Sequence, residues 1–315
     1  MKIIKPKFWD LQKPNFISYF LLPFTLLIRL NNFLKNFTPK IQSKDLKTIC
    51  IGNIYIGGTG KTPSVIKLYE ILKKNGFDDI ATGKKMYSSQ KDEQILLDKQ
   101  TSLITEKSRS KILSTAIKDK KRILIFDDGL QDKYINYDCK IVCFNSDNLI
   151  GNGLLIPAGP LREKMTSLKN YDVVFLKNIN SINYKVIDFI KTFNPKIKIF
   201  NSRYEIQNIN DFNLKKDYLI FSGIGTPNNF KEILIKNNFN IKSEIIFPDH
   251  HNYKKNDILM IKKKAKEFNL NVITTEKDFV KIPEEFSSEI KFLRVKIKFD
   301  DESDLINYIK SKIYE

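Results

Sequence analysis

Apolar residues along most of this chain fall in short blocks separated by polar stretches. Runs of five to eight residues rich in Ile, Val and Phe, at 49–56, 122–126, 140–144 and 173–177, have the length and bounding turns of buried strands. Between them, Ser64 to Asn75 and about Ser108 to Lys118 carry apolar residues three and four apart, which predicts amphipathic helices. Such alternation is what a parallel sheet covered on both faces by helices requires. Around Asn201 to Ile206 the pattern restarts. Strands at Tyr218–Ser222, Ile241–Phe247 and Asn271–Thr275 then alternate with helices at Phe230–Asn237 and Lys254–Phe268, and a strand at Lys291–Phe299 precedes a helix near Ser303 to Ile313. The predicted layout is a larger α/β domain over 36–203 and a smaller α/β domain over 204–302, with linker strands at the ends of the smaller one and a terminal helix over 303–315 packing back on the larger.

The most apolar stretch, FISYFLLPFTLLIRL at 16–30, is shorter than the roughly 20 residues that span a bilayer, and Pro23 and Arg29 interrupt it. Drawn as a helix, it places Ser18, Thr25, Arg29 and Asn32 on one narrow stripe, opposite a wide apolar face flanked by Lys2, Lys5, Lys7 and Lys35. Residues 1–35 are therefore expected to be a membrane-associating region whose helix lies in the interface, its lysines against anionic head groups. A helix packed on the domain is the competing reading. A signal peptide fits poorly, since no small-residue cleavage site follows.

Lys47 to Pro63, KTICIGNIYIGGTGKTP, carries the clearest chemistry. A buried strand runs into Gly57, Gly58, Thr59 and Gly60, and Lys61-Thr62-Pro63 then opens a helix. Glycines let backbone N–H groups point inward, the helix N-terminus adds positive potential, and Lys61 supplies a mobile charge, so the stretch reads as a phosphate cradle with Thr62 offered to magnesium. The usual spacing would put a glycine at position 55, where this chain has Tyr55.

Composition narrows the partners. At 315 residues the chain is long enough for two domains, and its net charge of +18 favours an acidic partner such as an anionic membrane or a phosphorylated substrate. Only six of the 54 basic residues are arginine, so much of the charge is also explained as a solvated lysine surface; the scarcity draws attention to Arg109, Arg162 and Arg203. Nothing resembles a nucleic-acid module with interleaved aromatics, and no obligate protein partner is evident. Cys50, Cys139 and Cys143 read as core residues of a reduced protein, and two histidines, His250 and His251, leave no ordinary zinc site.

Further polar constellations sit at strand ends. Asp127-Asp128-Gly129-Leu130-Gln131 follows a strand neighbouring the cradle, where P-loop enzymes hold magnesium. Pro157-Ala-Gly-Pro-Leu-Arg162-Glu163 is a rigid loop delivering an Arg and a Glu together. Asp92-Glu93 begins a helix after the polar loop Lys84 to Lys91; alone it reads as a helix-dipole complement. Asp249-His250-His251 ends a strand before a helix.

Together with Gly52-Asn53, Phe221-Ser-Gly-Ile-Gly-Thr-Pro227 and Thr274-Thr-Glu-Lys-Asp278, these motifs, in order from 52 to 278, resemble the tetraacyldisaccharide 4′-kinase (lipid A 4′-kinase) family. The resemblance implies a P-loop NTPase-type domain and a smaller α/β domain joined by a two-stranded linker. It implies an ATP- and magnesium-dependent transfer of phosphate to the 4′-hydroxyl of an acylated glucosamine disaccharide 1-phosphate at the cytoplasmic face of the inner membrane of a Gram-negative bacterium, giving lipid IVA. By motif, Lys61 and the loop from Gly57 to Pro63 would hold the nucleotide, and Thr62, Asp127, Asp128 and Glu163 would organise the metal or its waters. Asp92 matches the family's base and His250 its orienting histidine, with Glu93, Arg109, Gln131 and Arg162 in support. The chain departs from the family where Ala81-Thr-Gly83-Lys-Lys lacks an expected Arg, and at Gln94 and Asp132. The alternative class is a P-loop ATPase or GTPase switch or a metallochaperone; it would need a metal-ligand cluster or a guanine-recognition motif, and the sequence has neither.

Overall fold

The computed structural model describes residues 5–34, 37–87, 91–178 and 181–314. Two compact units form, one built from residues 5–86, 97–203 and 298 onward and the other from 87–96 and 204–297. In chain order, the larger unit carries helices α1 (Phe16–Leu21) and α2 (Thr25–Leu34), strand β1 (Lys47–Gly52), helix α3 (Lys61–Lys74) and strand β2 (Ile80–Lys85). Helix α4 (Lys91–Gln100) begins in the smaller unit and ends in the larger, which continues with β3 (Leu103–Glu106), α5 (Arg109–Lys118), β4 (Ile123–Asp127), β5 (Cys139–Asn145), β6 (Val173–Lys177), α6 (Tyr184–Phe193) and β7 (Lys198–Ile206). The smaller unit follows with β8 (Asp217–Ser222), α7 (Pro227–Lys236), β9 (Asn240–Ile246), α8 (Lys255–Glu267), β10 (Asn271–Thr275), the single turn α9 (Glu276–Phe279) and β11 (Ile290–Leu293). Strand β12 (Val295–Phe299) and helix α10 (Glu302–Tyr314) return the chain to the larger unit.

The larger sheet has strand order β12-β7-β6-β5-β1-β4-β2-β3, and its pairs from β7 to β3 are parallel. Both faces of its central strands are covered, which explains why they read as continuous apolar runs rather than alternating ones. On one face Cys50, Leu124, Phe126, Val142, Phe144 and Leu176 join a cluster with Ile112 of α5 and Ile190 of α6. On the other, the alternate residues Ile49, Ile51, Ile125 and Ile141 are fully buried, and α3 packs on β1 and β4 while α10 packs on β5. The smaller sheet, β11-β10-β8-β9, is wholly parallel. Along β8, Leu219 and Phe221 pack with Ile258 and Ile261 of α8, and Tyr218 and Ile220 pack with Phe230 and Leu234 of α7, so this sheet too is sandwiched by helices.

Several boundaries differ from the sequence reading. Residues 5–34 are part of the larger unit because they are hydrogen-bonded into it: Trp9 Nε1 donates to the Pro157 carbonyl at 3.0 Å, Asn152 Nδ2 to Ser18 Oγ at 3.0 Å, and Asn32 Nδ2 to the Arg162 carbonyl at 3.1 Å. Residues 87–96 group with the smaller unit, and the larger unit resumes at 298 rather than after 302. The expected strand 49–56 ends at Gly52, since the chain must turn there into the glycine loop, and α3 starts at Lys61 rather than Ser64. Lys84 and Lys85 belong to β2, not to a polar loop, and the run Lys291–Phe299 divides into β11 and β12. Lys2, Lys35 and residues 88–90 lie outside the described residues.

Candidate active site

In the larger unit, the loop between β1 and α3 is shaped by Gly57 at φ 145° and Gly60 at φ 83°, a backbone region that side-chain-bearing residues rarely adopt. Gly60 is also the N-cap of α3 and supplies no side chain to cap it, so the first-turn amides face the loop. Ser64 ties this turn down, its amide and hydroxyl donating to the Gly60 carbonyl at 3.0 and 2.8 Å. Tyr55, standing where a P-loop glycine is usual, is buried with its ring against Gly57: its hydroxyl bonds Asp10, beside Lys5, and its backbone bridges to Leu161.

The neighbouring strand β4 brings two carboxylates to this loop. Thr62 Oγ1 donates to Asp127 Oδ2 at 2.9 Å, and Lys84 Nζ, at the end of β2, donates to the same oxygen at 2.6 Å. Asp127 Oδ1 is buried with no hydrogen-bond partner among the described residues, as is Asn53 Oδ1. Asp128, at φ 61°, turns the other way: Lys61 Nζ lies 3.7 Å from its carboxylate and Arg162 Nη1 3.1 Å from it, while Arg109 bonds its backbone carbonyl. Burial pushes the Asp128 carboxyl up, but Lys61, Arg162, Lys84 and Arg109 together more than offset this and hold it below the usual range. Gln131 donates to Glu163 at 3.2 Å and accepts from Arg162 at 3.1 Å, and the Tyr171 hydroxyl donates to the second Glu163 oxygen at 2.9 Å.

The proposed metal set is thus divided. Thr62 and Asp127 touch directly, whereas Asp128 is engaged by cations and Glu163 by Gln131 and Tyr171. Among the described residues no group of three or more His, Cys, Asp or Glu forms a metal cage. Magnesium does not need one, since it is commonly held by one or two carboxylates together with substrate phosphates and water. Arg203 stands apart from these groups and pairs with Asp300.

A second polar cluster lies in the smaller unit. His250 Nδ1 is 3.0 and 3.2 Å from the two oxygens of Asp92, which is 3% exposed. His250 is held at φ 56°, with its amide bonded to the Gly223 carbonyl and to the Asp249 side chain, both at 3.0 Å. Lys277 Nζ approaches Glu93 at 3.2 Å and Asp92 at 3.5 Å, and Lys281 Nζ approaches Asp92 at 4.0 Å. Burial raises the Asp92 carboxyl, yet the His250 hydrogen bond and the Lys277 charge outweigh it and the net shift is downward. His251, by contrast, bonds Asp257 at 3.0 Å and stacks on Phe247.

Residues 17–314 match the family described as tetraacyldisaccharide-1-P 4′-kinase. The chain belongs to this family. It is 45% identical to the tetraacyldisaccharide 4′-kinase of Pelagibacter ubique over 307 residues, covering 98% of this chain and 97% of the relative. With the enzyme of the same name from Rickettsia akari it shares 34% over 323 residues, covering 98% and 96%. Its fold resembles the crystal structure of LpxK from Aquifex aeolicus in complex with ATP, with a TM-score of 0.70 at 23% identity over 95% of this chain and 100% of that one.

Within this 4′-kinase family framework, sequence reasoning missed three lysines. Lys84, which the sequence places in a polar loop, lies in β2, and nothing in IATGKK separates it from the chain's other lysines. Lys277 is marked in the sequence only by its place in the Thr274–Asp278 motif, and Lys281 by nothing. Asp132, a departure from the family pattern, accepts from Arg109 at 3.0 Å.

Proposed function

We propose that this chain transfers the γ-phosphate of ATP to the 4′-hydroxyl of a tetraacylated glucosamine disaccharide 1-phosphate, giving lipid IVA for lipid A synthesis. The family match across 17–314 carries this reading, and the two polar clusters supply the groups it needs. The loop amides from Gly57 to Thr62 and the Lys61 ammonium would hold the β- and γ-phosphates, with Pro63 fixing the first turn of α3. Asp92, kept ionised and oriented by His250, would accept the proton of the sugar hydroxyl late in transfer. Glu93, Arg109, Gln131 and Arg162 support these groups by the contacts described.

The unpartnered Asp127 oxygen beside the Thr62 hydroxyl fits magnesium. Thr62 and Asp127 would hold the ion, with Asp128 and Glu163 acting on its waters, and the ion would neutralise charge on the phosphates.

Helices α1 and α2 support a place at the cytoplasmic face of the inner membrane. The segment Phe16–Leu34 is 19 residues long with mean hydropathy 1.3, enough by length and composition to cross a bilayer. However, Ser18 and Thr25 are buried and Asn32 bonds the Arg162 carbonyl, whereas Phe16, Phe20, Leu26, Leu27 and Leu30 are all more than half exposed. The polar stripe faces the protein and the apolar side faces outward, which favours lying in the interface over spanning it. Arg29 departs from the stripe and is exposed.

Transfer of labelled γ-phosphate to an acylated disaccharide 1-phosphate in mixed micelles tests the reading. Lipid-dependent product is expected with the natural chain and a loss of at least about a hundredfold with Lys61→Ala. ATP hydrolysis without a phosphorylated lipid would instead indicate a switch ATPase.

A further inference from the structure

Two motifs, Phe221 to Pro227 and Thr274 to Asp278, take no part in the chemistry assigned so far, yet both lie against the Asp92–His250 pair. Asp278 is fully buried and joins them: its Oδ2 accepts from the Gly223 amide at 3.0 Å and from the Thr275 hydroxyl at 2.8 Å, while Lys281 pairs with its Oδ1 at 2.7 Å. Gly223 in turn gives its carbonyl to the His250 amide. The same turn of α9 presents Lys277 to Glu93, Asp92 and Asp249 at 3.2, 3.5 and 4.0 Å.

We propose that Lys277 is the positioning residue of the Asp92–His250 pair: its ammonium holds the Asp92 carboxylate ionised and in line with His250, and the Asp278 turn fixes both partners in register. The proposal rests on the reading of Asp92 as proton acceptor. Its physical basis is charge. Four carboxylates, Asp92, Glu93, Asp249 and Asp278, are grouped with two lysines, Lys277 and Lys281, and one imidazole. The four acids outnumber the two lysines, so each lysine matters for keeping a proton off Asp92. Lys277 touches three of the four carboxylates, and its own proton is held more tightly than usual because Glu93, Asp92 and Asp249 outweigh the effect of burial.

Without Lys277 the Asp92 carboxyl binds its proton at higher pH, so the acid limb of the rate profile must move upward. The experiment is kcat/KM against pH from 4 to 9 for the natural chain, Lys277→Met, Lys277→Arg and Asp92→Asn, with KM for ATP measured alongside. Lys277→Met is expected to lose several-fold more activity at pH 4 than at pH 7, relative to the natural chain, and to recover as pH rises. Its KM for ATP should stay within about twofold, and Lys277→Arg, which keeps the charge, should restore the acid limb. A Lys277→Met profile that matches the natural one after uniform scaling would overturn the proposal and leave a structural ion pair. If Lys277→Met does not fold, Lys281→Met takes its place, with a smaller shift in the same direction expected and an unmoved limb counting against. Asp92→Asn with near-normal turnover would instead overturn the assignment of the base itself, a distinguishable failure.

Discussion

Lys84 and Asp127 form an ion pair with side-chain exposures of 2% and 0% at 2.6 Å. Both charges have been taken out of water, so their attraction mainly offsets desolvation, and removing one partner strands the other. Lys84→Met is therefore expected to cost about 3–5 kcal/mol in urea unfolding, and the double variant Lys84→Met/Asp127→Asn should regain most of it. A cost below about 1 kcal/mol for the single variant would show that Asp127 finds another partner. At this scale the sequence was legible where residue type restricts the options: Gly57, Gly60, Lys61, Thr62 and Asp127 all gather at one strand end. It was not legible for Lys84 and Lys277, because lysine is so common in this chain that a buried one looks like any other, and only the fold reveals which of them is desolvated.

Among the elements, α1 and α2 invert the usual rule, burying Ser18 and Thr25 and exposing most of their large apolar side chains. The periodicity was visible in the sequence, but which face meets the protein depends on Asn152 and Arg162, more than a hundred positions away. Each large exposed apolar side chain would gain on the order of 1 kcal/mol from partial insertion among acyl chains. The triple variant Leu26→Glu/Leu27→Glu/Leu30→Glu should weaken sedimentation with anionic vesicles about tenfold or more while leaving the melting temperature unchanged. Lost stability would show that the leucines support the fold. The strands show a different limit: β1, β4, β5 and β6 were readable from their apolar runs, whereas the four-residue β3 was not, since LITE carries too little pattern to separate from a loop.

For the whole molecule, a chain in two units, each with its own sheet and core, should unfold in more than one step. A thermal scan with magnesium ATP at about 100 times its Kd should raise the transition of the larger unit by the equivalent of about 2.7 kcal/mol and leave the other in place. Lys61→Ala should abolish the shift, and movement of both transitions together would mean that the units unfold as one. The alternation of strand and helix made both units legible, but not the assignment of 87–96, because that segment is claimed by long-range ion pairs rather than by any local pattern. The outward-facing apolar residues of α1 and α2 have one more consequence. A protein resting on the layer that dissolves its acceptor would meet that acceptor by lateral diffusion, so its rate would follow the number of acceptor molecules per unit area. Added inert lipid or detergent would then slow it by surface dilution, even with the bulk concentration of every reactant unchanged.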